Sequence, residues 1–343
     1  MPQNTASANR MLALIFISNL IGAGFASGQE LLIFFVAYGY KGFFGVLTAG
    51  LLFTVFGAGI VVLAQKNCWR NHLDLANALC PYPLNKIFDL LISAFLLALT
   101  GVMLAASGAL AKQELGVTEG YGIAFLGLVL WLSLLGGGKG LLKLPKYLIP
   151  PLIFVIIWVS LYSICNFTYV PSQPSPYGHW LLAAAIYASY NLLGGLSTMI
   201  AVSNLGGNGK GGLWGGIITT FLAFFMVWAL MAASPALQNC SLPMLCLAAQ
   251  GGKLLFGFYT AILAIAIFTT ALTAVYSLNC RLNRLKMPSA LKNALILTAA
   301  LPVSIGNFPN IVSRTYGFFG IIGLIILTLL SFKLLFIYVK QRN

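Results

Sequence analysis

The chain has 343 residues, of which 60% are hydrophobic and only 7% are charged, whereas a soluble domain carries about 25% charged residues. Five acidic residues cannot cover the surface of a soluble protein of this length, so we expect lipid to surround the chain. The formal net charge of +14 does not indicate a nucleic-acid-binding protein, because the basic residues lie in short loops between apolar runs.

Long apolar segments recur along the whole chain. A helix needs about 20 apolar residues to cross about 30 Å of hydrocarbon. This criterion predicts about ten transmembrane helices in one all-α, polytopic domain covering residues 1–343. We place the spans near residues 10–38, 42–64, 86–110, 120–137, 146–165, 178–203, 212–233, 252–280, 290–306 and 314–338.

The first predicted span contains three glycines within Gly22–Gly28, between Ser18 on one side and Glu30 on the other. Glycines and polar residues at this depth predict a broken helix. The bare N–H and C=O groups of such a break cost several kcal/mol each in lipid unless protein, water or a ligand meets them. Close helix packing is the alternative, because Gly24 and Gly28 have the four-residue spacing typical of helix contacts.

Glu30 is the acidic residue that we place well inside a span. Because an ionisable residue within the membrane is a functional candidate by default, we expect Glu30 to serve an outer gate, to pair with Arg314 or Lys41, or to carry a proton. A carboxylate that is merely solvated near the outer water is the alternative, since Glu30 lies about 9 Å along the helix axis beyond Gly24.

The sixth predicted span repeats the pattern, with Gly194 and Gly195 beside Tyr187, Tyr190 and Asn191. We therefore predict a second break, at Tyr190–Ser197. Spans one and six hold corresponding positions in two halves of five helices, and halves with an odd number of spans insert in opposite orientations. Corresponding interruptions in inverted halves indicate the midplane site of a secondary transporter.

The eighth predicted span carries two adjacent threonines, Thr269 and Thr270, shortly after Ala266. A lone threonine hydroxyl usually bonds to its own helix. Two neighbouring hydroxyls can also offer oxygens to a hard cation, and carbonyls from an unwound helix would complete an all-oxygen shell.

The basic residues predict the orientation of the chain. With a cytoplasmic N-terminus and alternating spans, fifteen of the Lys and Arg residues fall on the inner side and four on the outer side, which places both termini in the cytoplasm. The apolar run after Arg10 is too long for the core of a signal peptide, so we expect no cleavable signal.

The six cysteines include no CxxC pair, which argues against a zinc or iron–sulfur site. Cys240 and Cys246 share one predicted outer loop, where they form either a disulfide or two free thiols. No HExxH motif or nucleophile elbow is present, so we expect neither an enzyme nor a bound cofactor.

The run IGAGFASGQE at Ile21–Glu30, followed by FFVAYGYKGFFG at Phe34–Gly45, resembles the YkvI-like family of bacterial membrane proteins, which are catalogued as candidate amino-acid permeases. The resemblance covers essentially the whole chain. That family is similar to the amino acid–polyamine–organocation superfamily, which has the LeuT-type fold of five plus five inverted helices with helices one and six broken. The resemblance implies repeats at about 10–165 and about 178–338 and a location in the cytoplasmic (inner) membrane.

The resemblance also implies where ligands bind. Substrate would lie at the breaks of spans one and six, near spans three and eight. In sodium-coupled members an ion lies between carbonyls of the broken first helix, here Ser18 and Ile21, and an Ala-x-x-Thr/Ser-Thr/Ser pattern that Ala266, Thr269 and Thr270 match. The implied substrate residues are Gly22, Ala23, Gly24, Phe25, Ser27, Gly28, Tyr187, Tyr190, Asn191, Gly194 and Gly195.

The expected function is alternating-access transport of a small amino acid or related zwitterion, with Na⁺ favoured over H⁺ as the coupling ion. Backbone N–H groups after the first break would hold a carboxylate at the positive end of a half-helix dipole, without Lys or Arg. An uncoupled facilitator or channel and a non-transporting sensor that retains the fold are the alternatives.

Overall fold

The computed structural model describes residues 5–69, 72–135, 144–167, 178–203, 207–233, 237, 240–282 and 287–342. The regular elements in these ranges are all helical. A short 3₁₀ helix, Val36–Tyr38, follows the third α-helix. The α-helices in chain order are α1 (Thr5–Leu20), α2 (Ala23–Ser27), α3 (Gln29–Phe34), α4 (Lys41–Lys66), α5 (His72–Leu79), α6 (Leu84–Leu115), α7 (Glu119–Leu135), α8 (Leu144–Asn166), α9 (Trp180–Ser203), α10 (Lys210–Ala232), α11 (Pro243–Gln250), α12 (Lys253–Arg281), α13 (Ser289–Ser304) and α14 (Phe308–Arg342).

Six of the described helices are long and apolar enough to cross a membrane, and further apolar helices are shorter. Each of the ten predicted segments overlaps a helix, while the count of ten spans stays a prediction. The six long segments are Lys41–Lys66, Leu84–Leu115, Lys146–Asn166, Lys210–Ala232, Lys253–Asn279 and Phe308–Phe332. Several inner-loop residues used to predict orientation lie outside the described residues, namely Arg70, Lys139, Lys143, Arg284 and Lys286.

The outer face of α4 is a continuous apolar stripe. Phe44, Leu47, Leu51 and Val55 are all at least half exposed, and their spacing of three or four residues places them on one side of the helix. An apolar stripe of this length in contact with water would favour aggregation, whereas lipid solvates it without cost. The chain is therefore a multi-pass membrane protein.

Glycines bring the backbones of α4 and α10 into direct contact. A Cβ atom on Gly212 would overlap the backbone of Gly57, and one on Gly216 would lie 2.7 Å from the backbone nitrogen of Thr54. Small residues at this spacing allow close helix packing in a membrane. Helices α4 and α10 therefore form a closely packed pair beside α1.

The first span is interrupted, as predicted. Helix α1 ends at Leu20, and α2 is a separate segment of five residues. Gly28 then adopts the left-handed conformation, with φ of +82°, before α3 begins. Other residue types are strained in that conformation, so the glycine permits the second change of direction.

The predicted break in the sixth span is wrong, because α9 is helical without interruption from Trp180 to Ser203. The polar side chains bond within the helix: Asn191 donates to the Tyr187 carbonyl and Thr198 to the Gly195 carbonyl. The glycines serve packing instead. A Cβ on Gly194 would lie 3.2 Å from the Phe95 ring, and one on Gly195 would lie 3.4 Å from the Asn19 side chain.

Helix α11 covers one end of the interrupted segment. A disulfide joins Cys240 to Cys246, so the alternative of two free thiols is wrong. Gln113 of α6 donates a hydrogen bond to Cys246 Sγ, and the Met244 side chain packs against Gly28. These contacts hold α11 against α6 and against the junction of α2 and α3.

Candidate functional site

The backbone between α1 and α2 lacks its helical hydrogen bonds. Ile21 donates to the Ile17 carbonyl, and the next bond of this kind runs from Ala26 to Gly22. Among the described residues, no backbone hydrogen bond uses the N–H groups of residues 22–25 or the carbonyls of residues 18–21. Eight polar backbone groups therefore surround the break.

Helix α12 fixes the position of α2, the segment that follows the break. The Tyr259 hydroxyl is buried and donates a 2.6 Å hydrogen bond to the Ala26 carbonyl. Ser27 Oγ donates to the Gly24 carbonyl and accepts from the Gln29 amide, which bridges α2 and α3. The short segment α2 is thus fixed by side chains, since five residues cannot form a stable helix alone.

A small cavity of about 50 Å³, here called the central cavity, lies between α1, α6, α9 and α12 at the broken end of α1. Seven of its eleven described lining residues are polar, and none of the eleven is charged. The lining residues are Ser18, Asn19, Leu96, Leu99, Gly194, Thr198, Thr269, Thr270, Thr273, Ala274 and Ser277.

A second small cavity of about 60 Å³, here called the side cavity, lies between α1, α8 and α12. Its α8 wall is apolar, and its polar groups come from α1 and α12. Ser18, Thr269 and Thr273 line both cavities. The full lining is Ser18, Ile21, Leu148, Ile149, Pro151, Leu152, Ile262, Ile265, Ala266, Thr269 and Thr273.

Three hydroxyl groups of α12 that line the cavities present oxygen lone pairs and not protons. Thr269 Oγ1 donates to the Ile265 carbonyl at 2.9 Å, Thr273 Oγ1 to the Thr270 carbonyl at 2.9 Å, and Ser277 Oγ to the Thr273 carbonyl at 2.8 Å. A hydroxyl has one proton, so each group leaves acceptor oxygens for the cavity. Such a lining suits a cation or an ammonium group.

The structure brings the predicted cation-site residues together. Ser18, Ile21, Ala266 and Thr269 all line the side cavity. Thr270 lines the central cavity instead, where its hydroxyl would lie 3.8 Å from a Cβ on Gly22.

The predicted substrate residues are less concentrated at the cavities. Gly194 lines the central cavity. The remaining predicted substrate residues pack around the interrupted helix without lining either cavity: Gly22, Ala23, Gly24, Phe25, Ser27, Gly28, Tyr187, Tyr190, Asn191 and Gly195. The cavities are lined instead by Asn19, Thr198, Thr273 and Ser277.

These missed residues carry a signal in the sequence. Thr273 and Ser277 continue the spacing of three or four residues that starts with Ala266 and Thr269, so these four residues share one face of α12. A polar stripe on an apolar helix predicts a lined cavity better than the Thr pair alone.

Glu30 lies in a closed environment. Its carboxyl group is 3% exposed and lies over Gly24, where a Cβ atom would overlap it. Tyr190 and Asn191 are its polar side-chain neighbours. The alternative of a solvated carboxylate is therefore wrong. The expected ion pair with Lys41 or Arg314 is also wrong, because both are exposed and neither joins Glu30 in the part of the chain described.

A network of polar side chains, here called the polar network, lies beside the central cavity. Asp89 of α6 pairs with Arg281 of α12 and lies 3.0 Å from His72 Nε2, and His72 Nδ1 lies 2.9 Å from Ser197 Oγ of α9. Ser277 and Thr198, which line the cavity, are within one turn of Arg281 and Ser197. The polar network thus links α5, α6, α9 and α12 beside the cavity.

The polar network should make the stability of the fold depend on pH. Burial lowers the pKa of His72 below 6.5, and Asp89 offsets part of this effect. Because the folded protein disfavours protonated His72 more than the unfolded chain does, its contribution to stability is complete above pH 6.5 and decreases as pH falls below it. We expect the melting temperature to fall between pH 7.5 and pH 5.5, and to fall less in His72→Gln. Equal pH slopes for the two proteins would contradict this assignment.

Comparison with known proteins identifies the fold. No family model matches the chain. A manganese transporter of Eremococcus coleocola, solved in complex with an aromatic bis-isothiourea substituted compound, superposes with a TM-score of 0.59 over 92% of this chain and 78% of that one, at 16% identity. A point mutant of that transporter gives a TM-score of 0.58 at 17% identity, over 94% of this chain and 78% of that one. The chain shares the fold of these structures.

Two relatives of this chain occur in Bacillus subtilis (strain 168). "Uncharacterized membrane protein YkvI" is 26% identical over 338 residues, which cover 94% of this chain and 95% of the relative. "Uncharacterized protein YyaD" is 26% identical over 329 residues, which cover 92% and 94%. Both similarities extend over nearly the full length of each chain.

Proposed function

We propose that this protein is a secondary active transporter that moves a small amino acid or a related zwitterion by alternating access, with Na⁺ as the coupling ion. The supporting observation is the interrupted first helix, whose unpaired backbone groups meet an oxygen-lined cavity between α1, α6, α9 and α12. Unpaired backbone groups within a membrane are retained where they line a cavity that a ligand or water can enter.

The chemistry of the central cavity favours a zwitterion. The carbonyls and back-bonded hydroxyls beside the cavity can meet an ammonium group, and the four unpaired N–H groups of residues 22–25, which follow the broken end of α1 outside the cavity lining, would meet a carboxylate once the break opens toward the cavity. None of the described residues that line the cavity is charged, so a ligand with a large net charge would lack a counter-charge from them. A small amino acid is net neutral and satisfies both kinds of group.

The side cavity supports the sodium part of the proposal. A hard cation prefers oxygen ligands, and the side cavity offers the Thr269 hydroxyl together with carbonyls of Ser18, Ile21 and Ala266. The Ser18 and Ile21 carbonyls accept no backbone hydrogen bond among the described residues. These groups would hold the ion between the broken end of α1 and the polar face of α12.

Manganese is a second candidate cargo, because the similar solved structures are of a manganese transporter. Carboxylate groups supply both the oxygen ligands and the negative charge that suit Mn²⁺. Neither cavity is lined by such a group, and the described residues contain no cluster of three His, Cys, Asp or Glu side chains. The amino-acid proposal therefore has the stronger support from the site.

The proposal includes a topology of ten spans in two inverted halves, α1–α8 and α9–α14, with both termini in the cytoplasm. The Cys240–Cys246 disulfide agrees with this orientation, because disulfides persist on the oxidising side of a membrane. Labelling of single cysteines in intact cells tests it. A cysteine at Gly252 should react with an impermeant reagent, and one at Arg10 should not.

Uptake by purified protein in proteoliposomes tests the function. We expect a labelled small amino acid to accumulate when Na⁺ is high outside, and not when K⁺ replaces Na⁺. Equilibration without accumulation would indicate a facilitator, and binding without uptake would indicate a sensor. Uptake of Mn²⁺ without amino-acid uptake would replace the proposed cargo.

Thr269→Ala should raise the Na⁺ concentration for half-maximal uptake at least about tenfold, because one charge–oxygen contact contributes about 1.5 kcal/mol or more. Thr328→Ala is the matched control. Thr328 also bonds to its own helix, through the Leu324 carbonyl, but is exposed on α14, so its removal should leave the Na⁺ dependence unchanged. Equal effects of the two substitutions would exclude Thr269 as a ligand.

A further inference from the structure

The Glu30 carboxyl group belongs to neither cavity. Glu30 lies in the first turn of α3, directly after the change of direction at Gly28. This turn returns the side chain over α2, where Gly24 leaves the space that the carboxyl group fills. The group is therefore enclosed by the interrupted helix itself, outside the central and side cavities.

Aromatic rings close the remaining sides. Tyr187 and Tyr190 of α9 and Tyr316 of α14 are each no more than 2% exposed. The Tyr190 and Tyr316 rings stack with centroids 4.5 Å apart, and Phe34 packs 5.6 Å from Tyr187 and 5.7 Å from Tyr190. These rings exclude water and leave only a few polar atoms near the carboxyl group.

No counter-charge meets Glu30 within the described residues. The titratable groups that face it are Tyr187, Tyr190 and Tyr316, and Asn191 is a further polar neighbour. The elements packed against α3 are α2, the 3₁₀ helix, α9, α10 and α14. Their described cationic side chains, Lys210 and Arg314, are exposed and form no ion pair with it.

Three buried polar atoms in this cluster have no hydrogen-bond partner, namely Glu30 Oε2 and the hydroxyl oxygens of Tyr187 and Tyr190. A bare carboxylate here would be a buried, uncompensated charge, which is among the most unfavourable arrangements in a protein. A protonated carboxyl group is neutral, and it gains an O–H donor that a tyrosine oxygen can accept.

We propose that Glu30 is a proton-binding site, with the proton held on its carboxyl group while α2 and α3 are packed against α9 and α14. When α3 moves away from the tyrosines, water reaches the carboxyl group, the O–H bond breaks heterolytically and the proton passes to water. Return of the carboxylate to the enclosed position requires a proton from the side then open. Glu30 is in this way a second cation-binding position, distinct from the sodium site.

Infrared difference spectroscopy of the purified protein in liposomes tests the proposal without any substrate. A protonated carboxyl group has a C=O stretch that a carboxylate lacks. We expect this band at pH 7.5 in the wild-type protein and its loss in Glu30→Gln. Glu119→Gln is the matched control, because Glu119 is a partly exposed carboxylate paired with Lys112 at 2.9 Å, and the band should persist in that variant.

A band that persists in Glu30→Gln, or that appears in the wild-type protein only on strong acidification, would overturn the proposal. Glu30→Asp keeps the carboxyl group and should shift the band without removing it, which separates a proton site from a folding defect. Since this test needs neither an amino acid nor Na⁺, its failure would leave the proposed transport function standing, and the reverse also holds.

Discussion

Gly24→Ala should reduce uptake at least about tenfold, because the added methyl group would occupy the position of the Glu30 carboxyl group. The carboxyl group cannot withdraw, since Tyr187 and Tyr190 enclose it. Overpacking of this kind costs about 1–3 kcal/mol. Uptake by proteoliposomes and the melting temperature of the purified variant measure the two effects.

A control and a double variant separate this effect from a general effect of alanine. A Cβ on Gly127 of α7 meets nothing within 4 Å, so Gly127→Ala should leave uptake unchanged and stabilise the helix by up to about 1 kcal/mol. Combining Gly24→Ala with Glu30→Ala frees the space and should recover part of the lost stability. Wild-type uptake by Gly24→Ala, or strictly additive losses in the double variant, would contradict the overlap.

The second large effect is expected at Arg281. Arg281→Gln removes the cationic partner of Asp89, and hydrogen bonds to charged groups contribute about 1.5–3 kcal/mol. We expect the central cavity to open toward the polar network. A cysteine at position 277 should then react with a thiol reagent at least about tenfold faster than in the parent protein, because 1.4 kcal/mol corresponds to a factor of ten.

The labelling needs a background in which Cys68, Cys80, Cys165 and Cys280 are replaced, while the Cys240–Cys246 disulfide is kept. Lys112→Gln is the control, because it breaks an ion pair whose lysine side chain is 65% exposed, and exposed pairs contribute about 0–1 kcal/mol. Labelling that Arg281→Gln leaves at the parental rate would show that the polar network does not close the cavity.

The sequence predicts the interrupted first helix but not the continuous α9, although both contain glycines beside polar residues. The difference lies in partners that are distant along the chain. Gly194 and Gly195 accommodate Phe95 and Asn19, and no local pattern reveals that a missing side chain serves a neighbour. At Gly28 the positive φ is a property of the backbone itself, so the local glycine pattern predicts it.

The polar network shows the same limit. His72, Asp89, Ser197 and Arg281 belong to four elements and meet only in the folded protein. The residues of α12 are different, because Ala266 and Thr269 follow the period of a helix and must share a face wherever that helix lies. Periodicity therefore predicts the face that lines the cavities, whereas contacts between elements require the structure.

Ser18, Thr269 and Thr273 form the wall that the central and side cavities share. The wall is one side chain thick. A substrate in the central cavity and an ion in the side cavity would therefore orient the same hydroxyl and carbonyl oxygens. Each ligand would then raise the affinity for the other by an identical factor, as thermodynamic reciprocity demands. The binding of substrate and ion would then be coupled directly through these three residues, without a conformational change in the rest of the helix bundle.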